Sequence, residues 1–129
     1  MIEIVSETPE NLIIAVAHGK VTGDDYEKIF IPALEEKLKS NKRMRLLYQL
    51  GEDFSGYTVG AMWDDAKLGL GHLRSFEKIA IVTEVHWILE AVKFFGFFVP
   101  CPVKTFSNGD LVEAKAWVTS ASEKSSSEK

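Results

Sequence analysis

Several side chains with acidic, basic or nucleophilic groups lie in one stretch of the sequence, where catalysis would be sought first. Asp64 and Asp65 are followed by Lys67 and His72, and Ser55 precedes them. Adjacent residues of a helix point about 100° apart, so the two carboxylates do not converge on one ligand. An exposed first turn, where the helix dipole favours acidic residues, explains the two aspartates without a metal site.

The remaining reactive groups do not form a catalytic motif. His72 can pair with Asp65 or Glu77, but a lone histidine without a nucleophile at a fixed offset is not a catalytic motif. Cys101 stands between two prolines, and we expect no histidine or lysine beside its thiol, which is typical of an inert loop residue. With no nucleophile–base pair, metal cluster or phosphate loop, we expect a protein that is not an enzyme and has no cofactor.

Length and composition limit the class of protein. A chain of 129 residues fits one domain, which we assign to residues 1–119, and 46% hydrophobic residues suffice for a core. The serine, glutamate and lysine residues of 120–129 predict a disordered tail. A net charge of −4 argues against nucleic acid as a partner. One cysteine, no signal peptide and no apolar run of ~18 residues predict a cytoplasmic protein.

Hydrophobic periodicity predicts the elements that position these residues. An antiparallel hairpin is expected at the start of the chain, and its second strand is apolar without alternation, which indicates burial on both faces. Strand and helix then alternate, which is typical of a parallel sheet with crossover helices. The predicted strands are 2–6, 11–18, 44–50, 79–83 and 103–106, and the predicted helices are 24–40, 59–73, 84–95 and 110–118.

The fold class is therefore α/β, with a mostly parallel five-stranded sheet, an N-terminal antiparallel hairpin and about four helices. Pro32 lies within the first helical pattern and predicts a kink or a late helix start there. Three glycines interrupt the pattern of 59–73, and each costs roughly 1 kcal/mol against alanine in a helix. We expect that helix to be the element that moves.

Aromatic side chains are unusually dense near the end of the third predicted helix. Phe94, Phe95, Phe97 and Phe98 surround Gly96, and a helix end has too narrow a core-facing arc to bury all four. Some must line a pocket, form a subunit interface or lie on the surface. The alternative is that Gly96 ends the helix and the following loop covers the sheet edge.

Two tryptophans and a basic run each admit two interpretations. Trp63 and Trp87 can form a gate over an apolar pocket, although tryptophans on a helix stripe usually pack in the core. Core packing is favoured for Trp87 and only slightly for Trp63, which borders two charges. The run from Lys37 to Arg45 contains five cations, which suits either a solvated helix end or an anionic lipid surface.

The chain resembles the STAS domains, the fold of the anti-sigma-factor antagonist SpoIIAA, and more closely the bacterial SpoIIAA-like family. The resemblance extends over nearly the whole chain up to about Val118. It rests on Phe-Ser-Gly at 54–56, Ala-Met-Trp-Asp-Asp-Ala-Lys at 61–67, Ile-Ala-Ile-Val at 79–82, and His72, Phe76 and Trp87.

The resemblance implies two different functions. STAS antagonists carry a phosphorylatable serine in an Asp-Ser-x-Gly setting, and Ser55 follows Asp53 here with Phe54 inserted between them. The SpoIIAA-like branch is similar in topology to CRAL-TRIO lipid carriers, which implies apolar-ligand binding and peripheral membrane contact.

From these observations we predict a non-catalytic domain that binds a small apolar or lipid-like molecule, with peripheral membrane association. The alternative is a protein–protein regulatory module switched by phosphorylation of Ser55, and a homodimer formed through the phenylalanine segment is a third interpretation. The predicted ligand- or membrane-binding residues are Trp63, Trp87, Phe94, Phe95, Phe97 and Phe98.

Overall fold

A single five-stranded sheet with strand order β1-β2-β3-β4-β5 organises the molecule. The computed structural model describes residues 1–5, 7, 9–58, 75–95 and 101–120, without the side chain of Phe95. The strands are β1 (Ile2–Val5), β2 (Leu12–Val21), β3 (Met44–Tyr57), β4 (Phe76–Val82) and β5 (Val103–Phe106). The described helices are α1 (Ile31–Leu38), α2 (His86–Phe95) and α3 (Leu111–Thr119).

The predicted fold class is confirmed. Strand β1 pairs antiparallel with β2, and the β2–β3, β3–β4 and β4–β5 pairs are all parallel. The helix predicted over 59–73 and the tail predicted over 121–129 lie outside the described residues. Three of the four predicted helices can therefore be compared with the structure, and each is found.

Strand β2 is buried on both faces, as its unbroken apolar run predicts. Ile13, Ala15 and Ala17 belong to one core cluster, which also contains Leu34 of α1 and Ile88 of α2. Leu12 and Ile14 belong to the opposite cluster, with Ala114 and Val118 of α3. The sheet is thus covered by α1 and α2 on one face and by α3 on the other.

Pro32 lies near the junction of a π-helical segment and the first α-helix. The π-helical segment, Asp25–Phe30, runs directly into α1, and Pro32 has no N–H to donate to the preceding turn. A contact between Thr22 and Asp25 stabilises the first turn of the π-helical segment, because the Asp25 carboxylate accepts a hydrogen bond from the Thr22 backbone N–H at 2.7 Å. Helical backbone is thus already present before Pro32, and the late helix start offered by the sequence is not found.

Two strands are longer than the sequence pattern indicates. We predicted that β2 ends at His18 and β3 at Leu50, but β2 continues to Val21 and β3 to Tyr57. Ala17 pairs with Leu50, and the next pair is Gly19 with Phe54. Residues 51–53 of β3 therefore lie opposite the single residue His18 of β2. Gly19 has a φ of +57°, which a glycine adopts without a steric penalty and which permits this irregularity within the strand.

The C-terminal end of α3 is held by two cations from the sheet. Lys78, with 1% of its surface exposed, donates from Nζ to the Trp117 carbonyl at 2.9 Å and to Ser120 Oγ at 2.7 Å. Arg45 donates to the carbonyls of Val118 and Ser120. Positive charge at a helix C-terminus complements the helix dipole, so these contacts fix α3 on the sheet.

Replacing Lys78 with methionine should lower the free energy of unfolding by about 1.5–3 kcal/mol, because hydrogen bonds from a charged donor to the end of α3 are lost in a buried setting. Urea denaturation measures this loss. Lys115→Met is the matched control, since Lys115 pairs with Glu7 at 3.2 Å on the surface and such pairs contribute about 0–1 kcal/mol. Equal losses in the two variants would contradict the role assigned to Lys78.

Candidate functional site

Two large aromatic side chains are exposed on α2. Trp87 is 50% exposed and Phe94 is 62% exposed, whereas Ile88 is buried in the core. Residues seven apart lie almost on the same side of an α-helix, so Trp87 and Phe94 share one side. Core packing was the favoured interpretation for Trp87, and it is wrong, because half of this side chain is accessible to solvent.

Trp87 is part of an aromatic cluster that links α2 to the end of β3. The ring of Tyr57 lies 6.1 Å from that of Trp87 and 5.2 Å from that of Phe54, and both pairs are edge-to-face. Such pairs contribute about 0.5–1.5 kcal/mol beyond the area they bury. We call Phe54, Tyr57, Trp87 and Phe94 the α2 aromatic surface.

A row of tyrosine hydroxyl groups leads from this surface into the fold. Tyr57 Oη is 3.2 Å from Tyr48 Oη, which is 2.9 Å from Tyr26 Oη. Tyr26 is buried, and its ring also packs edge-to-face against Phe30. The α2 aromatic surface therefore combines apolar rings with a polar edge at Tyr57.

The structure describes only part of the predicted binding set. Trp63, Phe97 and Phe98 lie outside the described residues, and Phe95 is described by its backbone alone as the last residue of α2. Asp64, Asp65, Lys67 and His72 also lie outside. Within the described ranges, no group of three or more His, Cys, Asp or Glu side chains has the arrangement of a metal site.

Ser55 lies within a strand and not in the loop where we predicted it. It is an exposed residue of β3, between Phe54, which pairs with Gly19, and Gly56, which pairs with Lys20. Ser55 therefore has no partner position on β2 and occupies a one-residue bulge, which bends a strand and re-aims its side chains. The helix expected to begin just after Ser55 lies outside the described residues.

The basic run divides between structural and exposed cations. Arg45 Nε donates to the Glu77 carboxylate at 2.7 Å, but Lys42 and Arg43 are exposed just before β3 begins. The charge of Arg43 acts on the thiol of Cys101, just before β5, and opposes the rise of its pKa. Helix α2 connects the end of β4 to the start of β5, so Phe94 and these cations lie toward the same end of the sheet, where the parallel strands begin.

Comparison with known families agrees with this architecture. The family model described as SpoIIAA-like matches residues 12–119. The chain belongs to the SpoIIAA-like family. None of the curated proteins compared with this SpoIIAA-like domain matches it.

The SpoIIAA-like domain is also similar to a solved structure. That structure is of an uncharacterized protein from the DUF3478 family with a SpoIIAA-like fold, from Shewanella loihica PV-4. The two chains are 30% identical, the match covers 92% of each, and the TM-score is 0.74. None of the described helices of the SpoIIAA-like domain has the length and apolar character needed to cross a membrane.

Besides the α2 aromatic surface, the domain has a polar groove on its α3 face. Its volume is about 570 Å³, and it lies where β2 and β3 diverge around the residues that lack partners. Sequence reasoning missed it, because its parts are far apart in the chain and only the fold joins them. The groove is lined by Val16, His18, Gln49, Gly51, Glu52, Asp53 and Asn108.

Cys101 is the single cysteine of the chain, and its thiol is partly buried. Burial raises the pKa of its thiol to about 11, against the opposing effect of the Arg43 charge and with a small contribution from Glu77. A thiol with this pKa is ionised in about one molecule in a thousand at pH 8, and only the thiolate attacks. Cys101 is therefore poorly suited to nucleophilic catalysis.

Cys101 should react with a disulfide reagent such as DTNB at least tenfold more slowly in the folded domain than in urea, because unfolding exposes the thiol and restores its ordinary pKa. Absorbance at the wavelength of the released thiolate follows the reaction. Equal rates in the folded and unfolded protein would contradict the buried, protonated state.

Proposed function

We propose that this SpoIIAA-like domain binds a small apolar or lipid-like ligand at the α2 aromatic surface, without catalysis. The observation that carries the proposal is the exposure of Trp87 and Phe94, at 50% and 62%, on the same side of a helix whose opposite side enters the core. Exposed apolar patches on soluble domains commonly mark interaction sites.

The free energy for binding comes from covering this apolar surface. Removing apolar area from water contributes about 25 cal/mol per Å², or about 1.5–3 kcal/mol for a large side chain that becomes fully covered. Two aromatic rings already held by α2 lose little conformational freedom when they bind. The hydroxyl of Tyr57 gives the surface a polar edge, which suits an amphipathic ligand.

The position of the exposed cations supports peripheral association with a lipid surface. Lys42 and Arg43 lie toward the end of the sheet where α2 ends, and Lys93 is the exposed residue before Phe94 in the sequence. Each cation near an anionic membrane contributes about 1 kcal/mol, and this attraction decreases with salt. An aromatic side chain beside such cations suits insertion of the ring below the lipid headgroups.

Changing Trp87 and Phe94 together to serine should weaken binding to phosphatidylcholine vesicles containing phosphatidylserine by at least tenfold. Each ring contributes more than the 1.4 kcal/mol that corresponds to a tenfold change in affinity. Vesicle co-sedimentation measures the fraction bound, and circular dichroism verifies that the variant is folded.

Val112→Ser is the matched control for this experiment. Val112 is 81% exposed on α3, across the sheet from α2, so its removal should leave vesicle binding unchanged. Equal binding by the wild type and the double variant would contradict the proposal. Sedimentation velocity of both proteins separates loss of lipid contact from loss of a homodimer formed through the same aromatic residues.

A second candidate function is a protein–protein regulatory module switched at Ser55. The exposure of Ser55 at a strand bulge favours it, because the hydroxyl is accessible on one side of β3. This candidate predicts that Ser55→Asp changes affinity for a protein partner but leaves vesicle binding unchanged. Phosphopeptide mapping of the protein from its own cells tests it, and an unmodified Ser55 would remove its main support.

A further inference from the structure

We infer that protonation of His18 regulates the α2 aromatic surface by fixing the segment of β3 that carries Phe54 and Tyr57. The inference concerns regulation of the proposed binding site, and in that respect it rests on the proposed function. The coupling itself is a property of the fold and can be tested without a ligand.

His18 bridges two carboxylates across three strands. Its Nε2 lies 3.0 Å from Glu3 Oε1 on β1, and its Nδ1 lies 2.9 Å from Asp53 Oδ2 on β3. A neutral imidazole has one N–H, whereas an imidazolium has two, and carboxylate oxygens only accept. Both hydrogen bonds can therefore form at once only when His18 is protonated.

Asp53 is the last residue of the three-residue bulge of β3. Gly51, Glu52 and Asp53 have no partners on β2, because Leu50 pairs with Ala17 and Phe54 with Gly19. Bulged residues lack ladder hydrogen bonds to their neighbour strand, so other contacts must define their conformation. The bond from His18 to Asp53 is such a contact, and it lies immediately before Phe54.

Direct contacts lead from this point to α2. Phe54 packs on Tyr57 with ring centroids 5.2 Å apart, and Tyr57 packs on Trp87 at 6.1 Å. The segment 54–57 pairs with β2, and no pairing with β4 is seen beyond Gln49 among the described residues. A change in the three-residue bulge therefore alters how Tyr57 meets Trp87.

The charges that face His18 are mostly negative. From β1 come Glu3 and the N-terminal ammonium group, which donates to the His18 carbonyl at 2.8 Å. From β3 come Asp53 and Glu52, and the groove also contains the neutral side chains of Gln49 and Asn108. Farther out, Glu84 accepts a hydrogen bond from the Asn108 backbone, and Lys20 lies two residues along β2.

Hydrogen bonds to Asp53 and then to Glu3 raise the pKa of His18 above its usual 6.5, against a smaller opposing effect of burial. A raised pKa in the folded state means that the stabilisation is complete below pH 6.5 and is lost as pH rises through the raised value. Deprotonation leaves one N–H for two carboxylates, so the bridge from β1 to β3 is no longer complete and the hold on the segment 54–57 weakens. A less preorganised surface binds more weakly, so ligand affinity falls as pH rises.

A pH titration followed by NMR tests this coupling. It is recorded on His86→Gln, so that no second imidazole lies next to Trp87 in the sequence. The His18 ring protons, the backbone amides of 51–57 and the Trp87 indole N–H should all shift with one common midpoint above about 6.5. Adding Asp53→Asn should lower the His18 midpoint, and adding His18→Gln should remove the shared transition.

Two results would overturn the inference. One is a His18 midpoint at its ordinary value that Asp53→Asn does not move. The other is a raised midpoint at His18 without a matching transition at Tyr57 and Trp87. Vesicle binding is then measured across the same pH range, where His18→Gln should abolish its pH dependence. Absence of vesicle binding at every pH, with the NMR coupling intact, would reject the proposed function and retain the coupling.

Discussion

The parallel pairing of β2 with β3 is the constraint on which the rest of the structure depends. Strand β2 is buried on both faces, so its register against β3 determines which side chains enter each core layer. Regular pairing holds from Leu12 to Ala17 and then breaks at His18, where β3 contributes three residues without partners. Because pairing resumes at Gly19, β3 extends to Tyr57 and brings aromatic residues against α2.

This break in the register explains why the domain has two distinct surfaces at one end of the sheet. On the α3 face, the divergence leaves a polar groove containing His18 and Asp53. On the opposite face, the extended strand supplies Phe54 and Tyr57, and Tyr57 packs against Trp87. One irregularity thus borders both the polar groove and the α2 aromatic surface. Protonation of His18 on one face therefore changes the packing of Tyr57 on the other.

Sequence reasoning predicts the fold well, because hydrophobic periodicity reports burial directly. The run from Leu12 to Ala17 correctly indicates a strand covered on both faces, whereas the late helix start at Pro32 is not found because a π-helical segment precedes it. The extension of β3 was missed because Glu52, Asp53 and Ser55 are polar residues that usually mark a loop. The ion pair of His18 with Asp53 joins residues 35 positions apart, and the exposure of Trp87 depends on which neighbours cover α2. Neither is encoded in local spacing.

Native and denaturing mass spectra of the same sample, after incubation with the fatty acid oleate, test the central claim of apolar-ligand binding most directly. We expect an oleate adduct in the native spectrum of the wild type that disappears on denaturation. The variant with Trp87 and Phe94 changed to serine should lack it, and Val112→Ser should retain it. A wild-type native mass equal to the denatured mass at saturating oleate would contradict the claim.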